Sequence, residues 1–105
     1  MTGMTIQELT RIMDEFVRVK GWYGENSPRR QTSRNIAISL SLECAEVLEH
    51  FQWTESPLKP AELPGELADV ALYLFQLARL NNIDLEQAIN DKLAVNYQRQ
   101  WEQEQ

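Results

Sequence analysis

Four acids in this chain repeat one spacing: Glu43-x-x-Glu46, then Glu66-x-x-Asp69. Each pair lies in a run with helical periodicity, and residues three apart share a helix face. Two such helices packed together would aim four carboxylates into one space. Gathered anions require compensation, and a hard divalent cation with a preference for oxygen ligands, such as Mg2+, supplies it. A solvated face is the ordinary explanation for any single Glu. The joint pattern differs, because Leu42, Ala45, Val47 and Leu48 surround the first pair and Leu67, Ala68, Val70 and Ala71 the second.

Other residue types could serve a phosphorylated ligand. Lys92 and Asn96, one turn apart, face the same way on a helix. The lysine suits a phosphate and the amide a phosphate or sugar, although a surface lysine is the plain alternative. Arg29, Arg30 and Arg34 form a basic cluster able to close over phosphates or simply to solvate a loop. Arg99 is a weaker candidate of the same kind. Trp22 and Trp53 offer flat faces for stacking on a base, or for packing the ends of a bundle or an oligomer interface. Tyr73, four residues past Asp69, could bring its hydroxyl to the acids or sit in the core. His50, the sole histidine, follows Glu43 and Glu46 at seven and four residues and is expected at the solvent or at an interface. Cys44 is expected to be a small buried residue.

The elements that must position these groups read as helices. Thr5 with Glu8 opens the first by capping-box logic; Ile6, Leu9, Ile12, Met13, Phe16 and Val17 recur at helical spacing, and Gly21 ends it. Tyr23 to Thr32, with Gly24, Asn26, Ser27 and Pro28, is a loop. A second helix is capped by Thr32 or Ser33, carries Ile36, Leu40, Val47, Leu48 and Phe51, and runs to about Trp53. After a Pro-containing connection, a third starts near Pro64 and Gly65, carries Leu67, Val70, Ala71, Leu74, Phe75 and Ala78, and stops at Asn81 and Asn82. Asp84 with Gln87 opens a fourth, striped by Ile89, Leu93 and Tyr97. No run alternates as a strand does. The predicted class is all-α, a four-helix bundle forming one domain over residues 1–105.

Composition narrows the function. Sixteen acids against ten bases give a net charge of −6, which argues against sequence-independent nucleic-acid binding. No apolar run approaches the ~20 residues of a membrane span, and no signal-like segment opens the sequence. One cysteine permits no internal disulfide, so a cytoplasmic location is expected. A di-iron carboxylate bundle would require Glu-x-x-His motifs on two helices, which one histidine cannot supply. A non-catalytic helical interaction module is the alternative to an enzyme.

The run Ser39-Leu-Ser-Leu-Glu43-Cys-Ala-Glu46-Val-Leu-Glu-His-Phe51-Gln-Trp53, with Gly65-Glu66-Leu-Ala-Asp69-Val-Ala-Leu-Tyr73-Leu, closely resembles the MazG-like nucleotide pyrophosphohydrolases. Nineteen residues separate Glu46 from Glu66, as that family's Glu-x-x-Glu and Glu-x-x-Asp motifs require, and the resemblance continues through Ile83-Asp84-Leu85 and Lys92 to Asn96. It implies an all-α NTP pyrophosphatase bundle completed as a homodimer or homotetramer. It also implies Mg2+-dependent hydrolysis of (deoxy)nucleoside triphosphates to monophosphate and pyrophosphate, with Mn2+ as a substitute metal. Glu43, Glu46, Glu66 and Asp69 match the metal ligands and catalytic acids, with one to three ions held and Glu46 a candidate proton acceptor. Lys92 and Asn96 match a downstream pair serving the phosphate and nucleotide end, Tyr73 matches the tyrosine one turn past the Glu-x-x-Asp aspartate as a further substrate-binding candidate, and Trp53 and Trp22 match aromatics near the base; Arg34 is the added candidate for the phosphates. The nearest branch looks like the compact dCTP pyrophosphatases, implying a role in cleaning the nucleotide pool. Two segments depart from it: the loop from Tyr23 to Thr32 is longer and lacks the usual histidine, and Tyr97 to Trp101 replaces a Lys-Tyr-Pro-like ending.

Overall fold

A computed structural model describes the backbone of residues 3–104 and the side chains of residues 3–99; the Trp101 side chain lies outside them. Four helices follow in order, α1 Ile6–Val19, α2 Ser33–Glu49, α3 Leu63–Leu80 and α4 Leu85–Glu104. No strand occurs among the described residues. Local chemistry explains most of the boundaries. Thr5 Oγ1 accepts from the Glu8 amide at 3.0 Å, Thr32 Oγ1 from Asn35 at 3.2 Å and Asp84 Oδ1 from Gln87 at 3.1 Å, each satisfying an amide that the first helical turn leaves open. α1 and α3 end in Schellman turns. Gly21 takes φ +74° as Trp22 N donates back to Val17 O, and Asn82 takes φ 56° as Ile83 N donates back to Ala78 O.

α2 and α3 run antiparallel and form the main seam. Asn81 Nδ2 meets Ser33 Oγ at one end, and His50 Nε2 meets Glu66 Oε2 at the other. On α2 the less exposed positions include Ile36, Leu40, Glu43 and Val47, continued by His50 at its C-cap; on α3 they include Glu66, Val70, Tyr73 and Leu77. These recur in steps of three and four, the interval that keeps one stripe against a neighbouring helix. Ile36 is 2 % exposed and anchors the stripe.

α1 lies beside the C-terminal half of α3, joined through a buried polar centre. Asp14 Oδ2 accepts from Arg18 Nε at 2.9 Å and faces Arg79 Nε at 3.6 Å, while Oδ1 accepts from the Tyr23 hydroxyl at 3.0 Å. Burial alone would raise the Asp14 pKa. The hydrogen bonds from Arg18 and Tyr23, with the charges of Arg18 and Arg79, outweigh it and hold the carboxyl below its ordinary range. The same environment, burial first and then the Asp14 hydrogen bond and charge, pushes Tyr23 up to about 12. Asp14→Ala is expected to cost about 2 kcal/mol, the scale of charged hydrogen bonds lost from a buried partner. A depressed carboxyl contributes stability that is present above the unfolded pKa and fades as pH falls through the folded one. Urea melts should therefore separate wild type and variant widely at neutral pH and converge in acid.

Tyr23 begins the segment that sequence marks as a loop. It closes on itself, with Gln31 N donating to Trp22 O at 3.0 Å and Arg30 Nε to Tyr23 O at 3.2 Å, in the manner of an Ω-loop. Gln76 of α3 fastens it by donating to Gln31.

α4 behaves differently. Its first turn meets α1, where Glu86 Oε1 accepts from Ile6 N at 3.1 Å, a carboxylate on the positive end of α1. Every described side chain from Gln87 to Arg99 is exposed, so the helix projects as an arm. Leu42, Leu48, Trp53, Leu58, Leu93 and Tyr97 are each at least 60 % exposed. The accessible surface is 8334 Å², against about 6,100 Å² for a globular monomer of 12.2 kDa.

Three expectations are corrected. α2 stops at Glu49 rather than near Trp53, because Phe51 N and His50 N turn back to Leu48 O and Val47 O and the chain leaves toward Leu58. Cys44 is exposed rather than buried: it precedes Ala45 on the side of α2 away from the seam. His50, expected at the solvent or an interface, is 4 % exposed, because its seven-residue spacing from Glu43 places it in the seam.

Candidate active site

Residues three apart on a helix are rotated by about 60° from each other, so each acid pair straddles the edge of the α2–α3 seam. Glu43 and Glu66 are half-buried within it, while Glu46 and Asp69 stand exposed on its flank. Their proximity registers electrostatically. The Glu43 pKa is raised, first by burial, then by a side-chain hydrogen bond with Glu46, then by the charges of Glu46, Asp69 and Glu66. The other three acids thus all act on Glu43. Ionised together, these carboxylates repel one another, so the cluster calls for positive charge.

The donor set suits a hard cation. Glu43 Oε2 is buried with no hydrogen-bond partner among the described residues, a costly state for an acceptor that a cation would relieve. Glu43, Glu46, Glu66 and Asp69 would hold it. Among the described residues, no three His, Cys, Asp or Glu side chains are already closed into a metal cage. Mutual repulsion keeps uncompensated carboxylates apart, and Glu66 is engaged by His50.

Beside the acids opens a cleft of about 800 Å³, lined by Trp22, Pro28, Arg29, Arg30, Gln31 and Asn35 from the loop and the start of α2, by Ile36, Ile38 and Ser39, and by Tyr73 from α3. Its volume fits a small organic ligand. Tyr73 belongs to both regions: it lines the cleft, and its pKa is raised by burial first and then by the charges of Glu43, Asp69 and Glu46. Its hydroxyl therefore stays protonated and can donate. Trp22 packs edge-to-face on Phe16, with ring centroids 5.5 Å apart and planes at 83°, which fixes its ring at the cleft wall.

The remaining sequence candidates fall elsewhere. Trp53 is 86 % exposed beyond the end of α2. Arg34 is exposed and does not line the cleft, but its guanidinium donates to Asn35 Oδ1 at 3.3 Å, and Asn35 does line it. Lys92 and Asn96 sit on the projecting arm of α4, away from the residues that line the cleft. Gln31 and Asn35 are cleft residues that motif reading passes over. Asn35 lies just past the Tyr23 to Thr32 loop, one of the two segments that depart from the resembled family, and that departure is the available signal.

An all-α bundle with a Glu-x-x-Glu pair facing a Glu-x-x-Asp pair across adjacent antiparallel helices, and a cleft alongside, describes a class of protein. The MazG-like family matches over residues 38–105, and the chain belongs to it. The dCTP pyrophosphatase 1 of Mus musculus is 33 % identical over 104 residues, covering 90 % of this chain and 58 % of the relative. The human dCTP pyrophosphatase 1 is 32 % identical over the same length. The chain spans 58 % of the length of these curated relatives. A dATP/dGTP diphosphohydrolase of Salmonella phage PMBT28 is 32 % identical over 84 residues, 80 % of this chain and 26 % of that one. The crystal structure of a pyrophosphatase from Archaeoglobus fulgidus superposes with a TM-score of 0.74 at 32 % identity, covering 94 % of both chains.

Proposed function

We propose that this chain hydrolyses (deoxy)nucleoside triphosphates to the monophosphate and pyrophosphate, with Mg2+ held by Glu43, Glu46, Glu66 and Asp69, as a cleaner of the nucleotide pool. The observation that carries the reading is Tyr73, which joins an acid cluster in need of a cation to a ligand-sized cleft with an aromatic wall. Family membership and the names of the relatives support it.

When bound, Mg2+ neutralises phosphate charge and lowers the pKa of a coordinated water. The chain's own residues do the rest. Glu43, Glu66 and Asp69 hold the ion site, and Glu46, exposed on its flank, either joins them or instead accepts the proton of the attacking water. Tyr73 donates its hydroxyl to a phosphate oxygen. Arg29 and Arg30 offset phosphate charge at the cleft, where Arg34 steadies Asn35. Trp22 stacks on the base, and Asn35 and Gln31 present amides to its edge. Relatives named for dCTP favour a pyrimidine deoxynucleotide as substrate, and the relative named for dATP and dGTP makes purines the comparison. A panel of nucleoside triphosphates with Mg2+ or Mn2+, assayed for pyrophosphate, tests this: release with dCTP or a related pyrimidine is expected. No pyrophosphate with any base would leave the interaction module as the better account.

The second part of the proposal is assembly. The surplus surface and the bare arm of α4 call for apolar cover, which a homodimer or homotetramer would provide. Lys92 and Asn96 would then reach phosphates from an arm that is buried rather than solvated. Light scattering after gel filtration at micromolar concentration should give two or four times the chain mass. A monomer at that concentration would contradict the assembly.

A further inference from the structure

His50 is the sole histidine of the chain and one of its most buried polar residues, at 4 % exposure. The ring is held from both sides. Lys59 N donates to Nδ1 at 3.2 Å, and Nε2 stands 2.5 Å from Glu66 Oε2. A backbone amide can only donate, so Nδ1 carries a lone pair and the proton belongs on Nε2. Nε2–H therefore points at the Glu66 carboxylate.

We propose that His50 is a positioning residue, whose Nε2–H fixes Oε2 of Glu66 so that the other oxygen is presented to the cation. This rests on the reading of Glu66 as a metal ligand given above. Glu66 sits on the first turn of α3, where a long side chain explores several rotamers, and ordering it costs side-chain entropy. His50 removes that freedom before the ion arrives. Hydrogen-bond partners behind metal ligands commonly set affinity in this way. The role is separable from holding the loop together. Leu58 N donates to the His50 carbonyl at 3.1 Å, and that bond does not depend on the side chain.

The test compares wild type, His50→Phe, His50→Gln and Glu66→Gln for binding of Mn2+ alone, read by electron paramagnetic resonance. His50→Phe should weaken Mn2+ by about 10- to 100-fold, with kcat at saturating Mn2+ near the wild-type value. His50→Gln, whose amide can donate to Glu66 and accept from Lys59, should recover most of the affinity. Equal affinity in wild type, His50→Phe and His50→Gln, with Glu66→Gln weakened, would overturn the role of His50 and leave the metal site standing. Unchanged Mn2+ binding in Glu66→Gln would overturn the metal site and this role with it. If His50→Phe does not fold, the native protein carries the test through a long-range 1H–15N spectrum of its single imidazole. The proton should lie on Nε2, and that signal should move when Mg2+ is added. A proton on Nδ1, or a signal indifferent to Mg2+, would overturn the proposal.

Discussion

Glu43→Gln is expected to lower kcat/KM for nucleoside triphosphate by about 10³-fold, equivalent to about 4 kcal/mol of transition-state stabilisation. Glu43 is the half-buried acid on which the other three act, and its Oε2 is the atom left without a partner. An amide keeps the shape of the side chain and removes the charge that would hold the ion. The same change should act oppositely on stability. The raised Glu43 pKa means that the folded chain, without a cation, loses stability as pH rises through that value and the carboxylate ionises among like charges. Removing the charge should raise the melting temperature of the metal-free protein by a few degrees at mildly alkaline pH. Adding Mg2+ should reverse the order. An ion that binds only the folded state stabilises by about 2.7 kcal/mol at a hundredfold excess over Kd, and the variant forfeits that. Calorimetry with and without Mg2+ should show the two curves cross. A variant less stable than wild type in both conditions would identify Glu43 as a structural residue.

Trp22→Ala carries the second large effect. Its ring is pinned by Phe16 at the wall of the 800 Å³ cleft, so a base meets a surface already ordered. Stacking of a base on an aromatic side chain contributes about 1–3 kcal/mol, which predicts a KM increase of about 5- to 150-fold with a smaller change in kcat. The split matters: a residue gripping the base away from the reacting phosphorus binds ground state and transition state alike. A fall in kcat at unchanged KM would remove Trp22 from the base-binding wall.

Much of this was legible in the residues. The two acid pairs, the helices that carry them, and the caps at Thr5, Thr32, Asn82 and Asp84 follow from spacing and local hydrogen bonding, which operate over a few residues. What spacing cannot show is the partner across a seam. It placed Glu43 and Glu46 on one face but did not say that Glu43 faces α3 while Glu46 takes the flank. Periodicity also put His50 in line with Glu43; only the antiparallel pairing of α2 with α3 brings it onto Glu66, sixteen residues away. Trp22 and Trp53 read alike as aromatics at helix ends. They separate because the loop after α1 closes through Gln31 onto Trp22, whereas α2 ends before Trp53. The apolar stripe of α4 reads as a face to be buried, yet in the chain on its own it is exposed, and the assembly proposed above is what would cover it.

The reaction proposed for the acid cluster is cleavage of a triphosphate between its α and β phosphorus atoms. Phosphorus-31 NMR of dCTP incubated with the protein and Mg2+ tests it directly. dCMP and pyrophosphate should appear together, and about 10³-fold more slowly with Glu43→Gln. Appearance of dCDP with inorganic phosphate would contradict it.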